Sequence, residues 1–152
     1  IRSMKMKQIA LSVMFLMLAA CGGKSADDYV GTWQRDEHKW LQFIEIKKDN
    51  GNYVMIRSNR TDVLSEQDGE LVLNYGMGNI PLKLSDDRKT LLANLYAGGS
   101  NRFIKIEDET CKKLITEYQT AQDKLVEHIT NKELLEAVKS IDGKYRSQCG
   151  KK

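Results

Sequence analysis

Residues 39–57 read KWLQFIEIKKDNGNYVMIR, and this stretch decides the fold. From Lys39 to Lys48, an extended chain puts Trp40, Gln42, Ile44 and Ile46 on one face and Leu41, Phe43 and Glu45 on the other. Asp49-Asn50-Gly51-Asn52 follows as a hairpin signal, because Asn and Gly tolerate the positive φ that a tight turn requires. Tyr53, Met55 and Arg57 then alternate with Val54 and Ile56. The pattern predicts a strand, a tight turn and a second strand.

The same rhythm continues toward the C-terminus. Asp68-Gly69 opens a run from Glu70 to Tyr75 in which Leu71 and Leu73 share a face. Gly76-Met77-Gly78-Asn79 is a turn, and Ile80, Leu82 and Leu84 follow at period two. Asp86-Asp87-Arg88 turns into Thr90 to Tyr96, and Gly98-Gly99 into Arg102 to Ile106. Short runs separated by turns at this spacing predict an antiparallel meander of about six or seven strands. Pro81, which cannot donate to a ladder, puts its strand at an edge or at its own start.

After Ile106 the period changes. Cys111, Leu114, Ile115, Tyr118, Leu125 and Ile129 recur at helical steps. Thr130-Asn131-Lys132-Glu133 matches a capping box with Thr130 as the cap. A second helix runs through Leu134, Leu135, Val138 and Ile141, and Asp142-Gly143 is predicted to stop it. The two helices form an antiparallel hairpin whose apolar faces need the sheet. The predicted class is α+β, an open barrel or curved sheet followed by a two-helix hairpin. It forms one domain over 29–149, with the meander in 29–106 and the hairpin in 107–149.

The N-terminal end reads differently. Residues 1–20 hold Arg2, Lys5 and Lys7 and no acid, whereas the rest of the chain carries 21 basic and 21 acidic residues. The net charge of +3 therefore belongs to a targeting segment and not to a binding face, which argues against nucleic acid as a partner. A positive stretch, the apolar run Ile9 to Leu18 and the small residues Ala19-Ala20 form a signal peptide over 1–20. Its apolar run falls short of the roughly 20 residues a membrane-spanning helix needs. Residues 21–28, small and polar with two glycines, suit a flexible tether.

Leu18-Ala19-Ala20-Cys21 resembles the lipobox of bacterial lipoproteins. That resemblance implies cleavage between Ala20 and Cys21, a diacylglyceryl thioether on Cys21 and acylation of its new amino group. No other cofactor is implied. Gly22 behind it implies the outer membrane, with the body facing the periplasm of the cell envelope. The alternatives are an ordinary signal peptide with a chance cysteine and an uncleaved anchor. Tyr29-Val30-Gly31-Thr32-Trp33 resembles the opening of lipocalins and small lipocalin-like bacterial domains. In those folds the Trp packs across the closed end of a barrel and the Gly lets the strand bend. Trp33 and Trp40 are assigned to core packing rather than to ligand stacking.

With Cys21 lipidated, Cys111 and Cys149 remain as a pair in an oxidising compartment, one at the start of the first helix and one past the second. A structural disulfide is predicted, since the pair lacks the Cys-x-x-Cys spacing of redox sites. His38 and His128 are the two histidines and are far apart, too few for a zinc set. Asp27-Asp28, Asp86-Asp87 and Glu107-Asp108-Glu109 lie at element boundaries, where solvated turns and helix starts explain them. No nucleophile, metal or phosphate motif stands out. The expected function is a non-enzymatic, lipid-anchored binding module for a periplasmic or extracellular protein or an apolar ligand. The alternative is an immunity or inhibitor lipoprotein that neutralises a toxin or a cell-wall-degrading enzyme, and the third reading, behind both, is a small enzyme with a site assembled from scattered residues.

Overall fold

Leu82 alone separates the two edge strands of the sheet, and this one residue nearly closes it into a barrel. The computed structural model describes residues 25–150. A 3-10 turn, Ala26–Tyr29, leads into β1 (Gly31–Arg35), β2 (Phe43–Asp49), β3 (Asn52–Arg57), β4 (Arg60–Gln67) and β5 (Glu70–Asn74). There follow β6 (Asn79–Pro81), β7 (Lys83–Leu84), β8 (Thr90–Leu92) and β9 (Arg102–Ile106), then helices α1 (Glu109–Glu127) and α2 (Lys132–Cys149). The sheet is antiparallel in the order β6-β5-β4-β3-β2-β1-β9-β8-β7. Its edges β6 and β7 are successive pieces of one bent segment, and the Leu82 N–H donates to the Leu71 carbonyl at 2.9 Å.

The α+β class, the meander and the helical pair match the sequence. The strand number is nine, not six or seven. β4 escapes the pattern because Leu64 is its one buried side chain, while Val63 is exposed. The run through Ile80, Leu82 and Leu84 divides in two after Pro81, which sits on edge strand β6 opposite Val72. The Asn50-Gly51 turn forms as read, with both residues at positive φ.

Two cores share β2. Its Ile44 and Ile46 point into the barrel with Trp33, Met55, Leu71, Leu73, Leu91 and Phe103. Phe43 and the preceding Leu41 point outward under the helices, against Leu114, Ile115, Tyr118 and Tyr145. The Phe43 ring meets Tyr118 and Tyr145 edge-on at 6.0 and 5.3 Å, the arrangement ring quadrupoles favour. Tyr145 donates its hydroxyl to Gln34 Oε1 at 2.7 Å, and burial pushes its phenol up to about 12.

Gly31 shows why the chain opens with Gly-x-Trp. It holds φ at +152°, and a Cβ there would lie 2.9 Å from Lys105 Cε. The Lys105 ammonium sits 5.5 Å from the Trp33 ring centre. The Trp33 indole donates to the Tyr29 carbonyl at 3.0 Å.

Two helix boundaries differ from the sequence reading. The cap of α2 is Asn131 rather than Thr130, and its side chain accepts from the Glu133 and Leu134 N–H groups. Gly143 does not stop α2, which continues to Cys149. A mid-helix Gly costs about 1 kcal/mol, and burying a ring such as that of Tyr145 offsets it by roughly 1.5–3 kcal/mol. Ile129 falls beyond α1 and is exposed. Packing also begins earlier than Tyr29, since Ala26 is already buried in the barrel core. Cys111 and Cys149 meet at the base of the hairpin with Cα atoms 5.9 Å apart, within the range a disulfide spans. Closing a loop with a sequence separation of 38 residues stabilises by about 3–4 kcal/mol in the chain-entropy account. Ala20 and Cys21 lie outside the described residues.

Candidate functional site

Because successive strands alternate in direction, the connections sort to two ends of the barrel. The turns at 50–51, 68–69 and 85–89 lie at one end with the 3-10 turn, and form a floor. The loops at 36–42, 58–59, 75–78 and 93–101 lie at the other and form a rim.

At the floor, polar groups pair locally. Tyr29 donates its buried hydroxyl to the Leu82 carbonyl at 2.8 Å, tying the 3-10 turn to the seam of the barrel. Tyr53 donates to Asp27 Oδ1 at 2.5 Å, with Lys48 Nζ 3.6 Å from the same oxygen. The Tyr53 hydrogen bond and the Lys48 charge hold the Asp27 carboxyl below its ordinary range. Asp28 accepts from the Ser25 N–H and from Arg88 Nε, each at 2.9 Å, and those bonds lower its carboxyl likewise.

At the rim, a buried guanidinium closes the mouth. Arg35 is 4% exposed. It donates through Nε to the Ser100 carbonyl, through Nη1 to Gln42 Oε1 and through Nη2 to the Gly98 carbonyl, each at 2.6 Å. Its Cζ lies 4.7 Å from the centre of the Tyr96 ring, and Arg57 approaches the same ring at 5.9 Å. A buried cation needs such donors satisfied and a polarisable neighbour. Gly99, at φ +71°, lets the loop pass: a Cβ there would stand 3.1 Å from Arg35 Nη2. Beside Arg35, Asp36 Oδ2 lies 3.7 Å from Arg102 Nε.

Outside this plug the rim carries exposed apolar side chains among polar ones. Trp40 is 63% exposed on the β1–β2 loop, with Lys39 Nζ 5.0 Å from its ring centre. Across the mouth, on the β5–β6 turn, Tyr75 is half-exposed and Met77 is 95% exposed. A cleft of about 400 Å³ runs down from the Trp40 loop between β1, β9 and the end of α2, lined by Asp36, Glu37, His38, Tyr145 and Arg146 over an Ile104 and Ile106 floor. The barrel interior, by contrast, is filled by its own side chains.

The structure separates the two tryptophans that the sequence grouped. Trp33 is core, as read; Trp40 is not, because β2 begins only at Phe43 and the preceding residues turn over the rim. The His38 ring shares its Nδ1 with the Trp40 backbone and shapes that loop. His128 ends α1. Asp87 accepts from Ser85 Oγ and the Lys89 N–H within its turn, and Asp108 caps α1 through the Cys111 N–H. Among the described residues no group of three or more His, Cys, Asp or Glu is arranged to hold a metal ion, and no helix is long and apolar enough to cross a membrane. Arg35, Arg57 and Tyr96 carried no sequence signal, since the contacts that join them bring together the ends of β1 and β3 and the β8–β9 loop. No family model, curated protein or solved structure matches this chain.

Proposed function

We propose that this chain is a lipid-anchored, non-enzymatic lipoprotein of the bacterial envelope, attached through Cys21, probing the periplasmic or extracellular space with its rim. Its partner is a protein. What carries this reading is the exposure of Trp40 on the rim of a barrel whose interior is already full. A full interior leaves no room for an enclosed apolar ligand, and aromatic side chains held on rigid supports are the usual centre of a protein interface. Tyr75 and Met77 add apolar area on the far side of the mouth. In the exported protein Cys111 and Cys149 are oxidised and fix the helices to each other.

The same exposed loop suits an inhibitor that inserts an aromatic residue into a toxin or a cell-wall-degrading enzyme. The two readings part on what the captured protein does. The test is a pull-down from envelope extract with wild-type chain and with Trp40→Ser and Met77→Ser. The expected result is a partner retained by wild type and lost by both variants. An enzyme activity that falls on capture identifies the inhibitor. Consumption of a small molecule with no protein retained overturns the binding-module reading. Attachment is read separately, by fatty-acid labelling of cells: Cys21→Ser is expected to carry no label.

A further inference from the structure

On the side of α1 turned away from the barrel, an open groove of about 330 Å³ runs between the two helices. Thr116, Glu117, Thr120, Ala121 and Lys124 of α1 line it, with Leu134 and Ala137 of α2. We propose that this groove is the docking surface for a second copy of the same chain, packed with the two α1 helices antiparallel about a two-fold axis at Thr120–Ala121.

Charge order along the groove selects that occupant. Glu117 and Lys124 are seven residues apart, two helical turns or about 10 Å, and so lie on one face of α1. Among the described residues neither makes an ion pair or side-chain hydrogen bond. At seven residues' separation they are too far apart to pair with each other, unlike neighbours three or four apart. Laid antiparallel against itself, however, the face sets Glu117 of one copy opposite Lys124 of the other, twice, because the midpoint between them falls at Thr120–Ala121. Parallel overlay puts like charges together. A two-fold contact must be self-complementary in this sense.

The groove is also inexpensive to cover. Thr120 Oγ1 donates to the Thr116 carbonyl at 2.9 Å, and Thr116 Oγ1 to the Lys112 carbonyl at 3.2 Å. Both hydroxyls are satisfied inside the helix, so burying them strands no polar group. Their methyls, with Ala121 and Ala137, leave room for a second helix at the 8–10 Å spacing of packed helices. The inference rests on α1 and α2, not on the rim, so the two proposals stand or fall separately.

Sedimentation of the full chain in detergent is expected to show a dimer whose population rises with protein concentration. Glu117→Lys and Lys124→Glu are each expected to weaken it about tenfold, since each change sets like charges together at two symmetric places. The double variant is expected to recover, and the two single variants mixed are expected to pair with each other. In cells, Ala121→Cys is expected to give a disulfide-linked dimer and Lys139→Cys, on another face of α2, none. A chain that is monomeric at every concentration overturns the proposal. So does a dimer indifferent to the single changes, or one that the double change fails to restore.

Discussion

The two ends of the barrel are built on opposite principles. At the floor, Tyr29, Tyr53, Asp27, Asp28 and Arg88 pair within or across short turns, and the 3-10 turn is locked beneath the seam. At the rim, one guanidinium serves as the plug, and the apolar side chains beyond it face solvent. Both ends contain a tryptophan, and the difference between Trp33 and Trp40 is the difference between the ends. Trp33 has a glycine behind it, a lysine over it and a carbonyl for its N–H. Trp40 has Lys39 over its ring and a loop shaped by His38. The floor commits its polar groups to local pairs, whereas the rim is held by one buried guanidinium and leaves Trp40, Tyr75 and Met77 exposed.

The comparison can be broken first at its strongest point. Trp33→Ala is expected to cost about 3–5 kcal/mol in urea unfolding, since the ring is wholly buried; a loss near zero makes the barrel interior something other than the core. Arg35→Met comes next, at about 2–3 kcal/mol, because it leaves the Ser100 and Gly98 carbonyls and the Gln42 amide without their donor. The same urea series measures it.

The floor is sharpened by acid. Asp27 and Asp28 have folded values below the ordinary 3.8. Their contribution is therefore complete above that value and is lost as pH falls through the lowered ones. The Asp27→Asn, Asp28→Asn double variant is expected to lose less stability than wild type when unfolding is compared at about pH 5 and about pH 2.5. An equal loss places the acid sensitivity elsewhere. Smallest of all, Trp40→Ser is expected to change stability by less than about 0.5 kcal/mol. A larger loss in thermal unfolding makes Trp40 a structural residue and removes the contrast.

Much of the barrel was legible because its chemistry is local. Asn50-Gly51 and Asp68-Gly69 specify their turns by conformational preference, and Ile44 and Ile46 mark a buried face by alternation alone. β4 was illegible for the converse reason: RTDVLSEQ buries one leucine, and its partners β3 and β5 hold it in place. Gly143 reads locally as a stop, and the tertiary partners of Tyr145 and Cys149, further along the helix, override it. The rim plug could not be read at all. Arg35 is one of 24 basic residues, and nothing local distinguishes a guanidinium that will be buried under carbonyls from one in water.

The seating of β1 between β2 and β9 has a kinetic meaning. Thr32 lies opposite both Glu45 and Ile106, so one flank of the first strand is satisfied almost at once and the other waits for the last strand. The hairpins from β2 to β5 zip by short loops, whereas the β1–β9 ladder closes the longest loop in the meander and carries its entropy. Loop closure predicts that the short-loop hairpins pair before the β1–β9 ladder, which needs the strand at Arg102–Ile106. Without that ladder β1 would present an unpaired flank, an edge open to pairing with another strand.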